Sequence, residues 1–296
     1  GISKKDPKKT ERLKAFANSV LERAFRRPLE KQEKKRYLDD QFADAESPEA
    51  AVKRSVLLTL KSPYFLYPDP PIRKTDEHRV AARLALTMWD SIPNDQLAKA
   101  ARQGKLNSRE EVIAQARHML MDPRAQAKVM SFFHHWLEMD SERDLTKDSA
   151  MYPEFKLNRI TDLRRSLELF IEEVVWSESS DYRQLLLARH LPLNKPLAQL
   201  YGKNAESEGF ARVEFDPKRR AGLITHPYLL TTFAYPNNSS PIHRGVFLTR
   251  QMLGRFLKPP PQAVSFKEDE LDPKLTMREK VTQITKDRAC MGCHGT

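Results

Sequence analysis

The chain contains two cysteines, Cys290 and Cys293, three positions apart, and His294 directly follows the second. With two cysteines and 8 histidines in 296 residues, chance produces this arrangement on the order of once in several thousand sequences. The spacing matches a specific chemistry. Two thiols add across the two vinyl groups of a haem, and the adjacent imidazole is held beneath the iron as its proximal ligand. Cys290-Met291-Gly292-Cys293-His294 therefore reads as a c-type attachment site for one covalent haem c. Cys290 and Cys293 would form the thioethers, and His294 would bind the metal.

The same residues admit three other chemistries: a disulfide, a thioredoxin-like redox pair, and half of a zinc site. Zinc needs a fourth ligand, usually from a second Cys/His pair. The sequence has no such pair, although His226 or His243 could be recruited. A redox CxxC belongs at a helix start after a strand, whereas this one follows a helical pattern. Haem is the reading the residues favour.

A second axial ligand is not evident. Met291, Met277, His243 and His226 are candidates by default, and a segment following His294 is the more expected source. The remaining constellations carry less. His134-His135 sits among Phe132, Phe133 and Trp136, and neighbours on a helix point about 100° apart, which suits neither a joint ligand pair nor a dyad. One imidazole should face the core and the other solvent. Glu172-Glu173 reads as a helix surface pair. Ser239-Ser240 near His243 could be drawn as nucleophile and base, but an N-cap role already explains Ser240. GxSxG, P-loop and GxGxxG motifs are absent from the sequence.

The positioning elements are predicted to be helices. Apolar residues recur at helical spacing through Leu13, Phe16, Ala17, Val20, Leu21, Ala24 and Phe25, with Thr10 as N-cap and Pro28 as the stop. A polar helix follows over 30–45, burying Tyr37, Leu38 and Phe42. A third opens at Pro48, with Val52, Val56, Leu57 and Leu60 on one face. Further helices are expected after Asp76, after Asn94, after the Ser108/Glu111 capping box, after Asp122-Pro123, and over 159–176. Residues 203–240 read as loop-rich, with β-like pieces at 211–215 and 222–225. Ser240-Pro241 opens another helix, which Gly254 ends. A last amphipathic helix from Thr276 delivers the chain to Cys290.

Composition agrees with a mainly α fold: a multi-helical, bundle-like body, a small loop- and β-rich segment, and a C-terminal haem helix. Only 9 glycines in 296 residues argues against an α/β enzyme with many tight loops and against a β-sandwich. Three modules are expected: a three-helix module over 1–70, a central helical domain over 71–205, and a loop-rich module over 206–296, cut short after the haem motif. No run of about 18 apolar residues is present, so no membrane span is expected. The net charge of +11 comes from scattered clusters mixed with acids. Nucleic-acid binding is not expected from such a pattern, and an acidic protein partner suits it better.

Three groups of residues form a further pattern. The first is Ala24-Phe25-Arg26-Arg27-Pro28-Leu29 with Ser62-Pro63-Tyr64-Phe65-Leu66-Tyr67. The second runs from Arg83-Leu84 through Met88-Trp89-Asp90-Ser91-Ile92-Pro93-Asn94-Asp95-Gln96-Leu97, then Gly104-Lys105-Leu106 and Met121-Asp122-Pro123-Arg124-Ala125. The third is Arg220-Ala221-Gly222-Leu223-Ile224-Thr225, Ser240-Pro241-Ile242-His243-Arg244-Gly245, Leu253-Gly254, Pro259-Pro260-Pro261 and the CxxCH. Together these resemble a planctomycete-type family of exported cytochrome-like proteins built from several domains of unknown function. The resemblance implies an exported, multi-helical protein with a C-terminal haem module. Ile284 stands where the family usually has histidine, and the family's Asp-Pro-x-Gly segment after CxxCH has no counterpart here.

The functional expectation is a c-type cytochrome-like electron-transfer protein on the outer side of the cytoplasmic membrane, working with a redox partner protein. Two alternatives stand beside it. One is an oxidoreductase or polysaccharide-processing component using haem as a relay, with a polar pocket near His226, His243 and Arg244. The other is a helical scaffold with a terminal zinc.

Overall fold

The computed structural model describes residues 7–67, 76–140, 145–204, 208–257, 271–286 and 290–291. It is mainly helical, with one two-stranded antiparallel sheet among the described residues. The chain divides into two compact units, Gly1–Ser131 and Phe132–Thr296.

The first unit begins with helix Lys9–Phe25, whose Ala17, Leu21 and Phe25 are buried at i, i+4, i+8. Thr10 lies inside this helix rather than capping it, since the helix starts one residue earlier. Arg26 ends it in the left-handed conformation (φ 61°). A helical stretch from Lys31 to Ala43, with a π-turn at Lys35–Asp39, runs next. Helix Pro48–Leu60 follows, capped by Ser47, whose hydroxyl accepts from Ala50 N at 3.2 Å. Ala17, Leu21, Phe25, Tyr37 and Leu38 form the core.

Helix Pro48–Leu60 does not bury the face its pattern suggests. Ala51, Ser55 and Thr59 are buried, while Leu57 and Leu60 are 59% and 44% exposed. Small side chains let helix Pro48–Leu60 lie close against Lys9–Phe25. The Thr59 hydroxyl is satisfied internally, donating to Ser55 O at 2.8 Å.

The motif residues of this module are its fasteners. Arg27 and Glu33 are both buried and form a bidentate pair at 2.5 and 2.6 Å, with Arg27 also donating to Pro28 O at 3.0 Å. Arg26 donates to the carbonyls of Ala24 and Tyr64. Removing one partner of a buried pair strands the other's charge. Glu33→Gln is therefore expected to lower stability by about 3 kcal/mol, read as a shifted urea midpoint with unchanged m-value.

The rest of the first unit is built from capped helices. Asp76 caps Glu77–Trp89 (2.8 Å to Arg79 N), Asn94 caps Asp95–Arg102 (2.9 Å to Leu97 N), and Ser108 with Glu111 forms the expected capping box on Arg109–Leu120. Their core gathers Ala81, Ala85, Trp89, Leu97, Ala101, Leu106, Met119 and Ala125. The Trp89 indole donates to Met119 O at 3.0 Å, and the Arg124 guanidinium lies 3.8 Å from its ring centroid. Asp122 holds Arg124 there with two contacts of 2.9 and 2.8 Å. Those hydrogen bonds pull the Asp122 carboxyl down to about 2.

In the second unit, helix Leu157–Val175 supplies the spine, burying Leu163, Leu167, Phe170, Ile171 and Val174. Against it lies a hairpin-like pair, His190–Leu193 with Ala211–Glu214, antiparallel with Leu191 opposite Val213. The second strand falls within the predicted 211–215, whereas the first, entirely buried and containing Pro192, has no alternation to betray it. The β-like piece expected at 222–225 is instead a 3-10 turn, Leu223–Thr225. The Thr225 hydroxyl accepts from Ala221 N (3.0 Å) and donates to Ala221 O (2.9 Å), closing the backbone on itself.

Short helices Pro227–Thr232 and Pro241–Phe247 follow, the latter running into a π-turn at Leu248–Met252. Lys147 closes the end of the first, donating to the carbonyls of Thr231, Ala234 and Tyr235 at 3.1–3.4 Å. Helix Met277–Ile284, capped by the Thr276/Glu279 box, packs against Pro241–Phe247.

Candidate functional site

Of the haem-motif residues, Cys290 and Met291 are described, and both are helical. Cys290 carries a free thiol and is half-buried, and Met291 is 46% exposed. Gly292, Cys293 and His294 lie outside the described residues. The upstream helix ends at Ile284, five residues before Ala289 and six before Cys290.

The histidines expected to assist the site have different fates. His226 is fully buried. Its Nδ1 accepts from Tyr228 N at 3.2 Å, which makes it the N-cap of helix Pro227–Thr232. Its Nε2 lies 3.2 Å from Ser166 Oγ, and that hydroxyl donates to Pro192 O at 2.6 Å. The single serine proton is thus spent on the carbonyl, so Nε2–H must donate to Oγ. The ring is neutral, its tautomer is fixed, and both nitrogens are committed.

Burial, with a smaller contribution from the Arg220 charge, pushes the His226 pKa down to about 3. Its ordinary value is about 6.5, so between these limits the unfolded chain binds a proton that the folded chain refuses. Stability therefore holds above about pH 6.5 and falls as the pH drops toward 3, with a slope of up to ~1.4 kcal/mol per unit. His226→Asn keeps a capping acceptor and should flatten that slope in urea titrations run at successive pH values.

His243 is exposed on helix Pro241–Phe247, its ring 5.0 Å from that of Tyr235. Ser240 is the N-cap as expected, accepting from His243 N at 3.2 Å. The pocket expected around His226, His243 and Arg244 loses its first member to packing, because His226 presents no free nitrogen. Met277 is buried in the core.

His134 and His135 split as expected: His134 is partly buried, with Nε2 3.1 Å from Glu168 Oε1, and His135 is exposed. Glu172 and Glu173 are surface partners of Arg165 and of Arg212 with His190. Among the described residues no group of three His, Cys, Asp or Glu side chains could hold a metal ion.

The structural role of His226 was available in the sequence. Ser47-Pro48, Ser62-Pro63 and Ser240-Pro241 each place a capping side chain before a proline at the first helical position. His226-Pro227 repeats that arrangement with an imidazole as acceptor.

Residues 75–202 match the model of PSD4, a protein of unknown function (DUF1592). Residues 220–296, which include the CxxCH, match that of PSCyt3, a protein of unknown function (DUF1588). The chain carries these two planctomycete-type domains. PSCyt3 is a cytochrome-like domain, so the PSCyt3 region is a cytochrome-like module. The PSCyt3 region contains both His226 and His243, along with the fully packed Gly222 turn. No curated protein and no solved structure is detectably similar to the chain. No helix among the described residues is long and apolar enough to cross a membrane.

Proposed function

We propose that the PSCyt3 region binds one haem c covalently, through Cys290 and Cys293, with His294 as the proximal iron ligand, and that the protein transfers electrons. The observation that carries this reading is the coincidence of the chain's two cysteines and following histidine with a cytochrome-like domain. The donor set fits the group: two thiols spaced for two vinyl carbons, and one imidazole adjacent to the second. Bound haem would supply one-electron chemistry. The chain's own contribution would be attachment by Cys290, which is a free and partly accessible thiol. The commitment of both His226 nitrogens supports haem over zinc, since it removes one of the histidines a fourth zinc ligand could come from.

The working site is the outer side of the cytoplasmic membrane, with a redox partner protein as the source or sink of electrons. Expression alongside the c-type maturation machinery tests the proposal. The expected result is a mass increased by one haem and a sharp α-band on reduction. Protein that folds, carries no covalent haem and lacks that band would sink it.

A further inference from the structure

Helix Pro48–Leu60 turns small residues inward and leucines outward, and the character of that outer face suggests what covers it. With Ser55 at the centre of the buried side, a 100° step puts Lys53, Leu57, Leu60 and Lys61 on the opposite side. The chain then leaves through Leu66 and Tyr67, 57% and 64% exposed. From Ala50 to Tyr67 the sequence holds Lys53, Arg54 and Lys61 and no Asp or Glu.

The wider unit shares this bias. Of 51 basic and 40 acidic residues in the chain, 27 and 18 precede Phe132, so the first unit holds +9 of the net +11. The same 100° step puts Glu49, in the first turn of the helix, at the edge of this side, where its carboxylate pairs with Lys9 at 2.5 Å. Around Leu57 and Leu60 themselves the charged neighbours on this side are Lys53 and Lys61, and exposed leucines set between lysines complement a surface that is both apolar and anionic.

We infer that this face docks on an anionic lipid bilayer surface. Leu57 and Leu60 enter the headgroup boundary, and the stems of Lys53 and Lys61 reach along them while their ammonium groups meet lipid phosphates. The Tyr67 ring, apolar with one polar end, suits the same depth. A bilayer needs no shape-matched groove, and this face is the outer side of a single helix. The arrangement is peripheral: it holds the first unit at a membrane without a spanning segment, and it is independent of haem in the PSCyt3 region.

The test is flotation of the full chain with phosphatidylcholine vesicles, with and without phosphatidylglycerol. The wild type should float with the anionic vesicles and not with the neutral ones. Lys53→Gln/Lys61→Gln should weaken that partition about tenfold or more, and Leu57→Ser/Leu60→Ser should weaken it by a similar factor. Both pairs are exposed, so the helical circular dichroism and melting should match the wild type. No binding to anionic vesicles, equal binding to both kinds, or unchanged binding by both variants overturns the inference. So does sedimentation showing that Leu57→Ser/Leu60→Ser dissociates a dimer of the free protein, which would assign the face to a second copy.

Discussion

Cys290→Ala/Cys293→Ala is expected to abolish covalent haem: acid–acetone should extract all pigment from the double variant and none from the wild type. The reason is bond count. Each thiol adds to one vinyl group, so each single variant should keep its haem through one thioether and shift the reduced α-band to longer wavelength as one vinyl regains conjugation. His294→Gly should leave both thioethers intact but remove the proximal nitrogen, and added imidazole should restore the spectrum. If the double variant retains acid-stable haem, attachment is elsewhere. If wild-type protein folds and carries none, the cytochrome reading of this chain fails with it.

Gly222→Ala should be the most damaging single substitution outside the haem motif. Gly222 has φ 55° and ψ −166°, a region that essentially only glycine occupies. A Cβ there would meet Leu185 O and would stand 2.5 Å from the Leu186 backbone. Backbone cannot swing aside as a side chain does. The Gly222 amide is also fixed, donating to Ala188 O at 2.8 Å.

Strain and overlap together are expected to cost about 4 kcal/mol or more, a large part of a domain's total stability. The loss should propagate, because the same turn sets Thr225 and then His226 in place. Near-ultraviolet circular dichroism and denaturant titration would show it, with the Phe132–Thr296 unit melting at lower denaturant. A Gly222→Ala protein with wild-type stability would mean that the turn relaxes at little cost.

Both substitutions fall on motifs that are visible in the sequence, and the two motifs differ in kind. The CxxCH is a chemical signature: its residue types and spacing define a reaction, whatever surrounds them. Arg220-Ala221-Gly222-Leu223-Ile224-Thr225 is a packing signature. Its glycine is required by the backbone of Leu185 and Leu186, which lie more than thirty residues away in sequence. Met121-Asp122-Pro123-Arg124-Ala125 is likewise structural, clamping Arg124 over Trp89. Residue types alone do not separate these two kinds.

The long helices and most of their boundaries were legible in the sequence, whereas the short helix Pro227–Thr232 was not, since it falls in a stretch that reads as loop-rich. Caps are local: Asp76, Asn94, Ser108, Ser240 and Thr276 each accept from an amide three residues on, so the signal and its structural consequence lie within one turn. The mainly helical class followed from the same signals and from the scarcity of glycine. Tertiary structure decided what could not be local. Hydropathy around helix Pro48–Leu60 pointed to Leu57 and Leu60 as its buried side, but close approach to Lys9–Phe25 required Ala51 and Ser55 there instead. His226 was an open donor in the sequence until Ser166 and the Tyr228 amide took both its nitrogens, one of them from a helix sixty residues upstream. Burial and hydrogen-bond commitment depend on which surfaces meet, and only the folded chain brings those surfaces together.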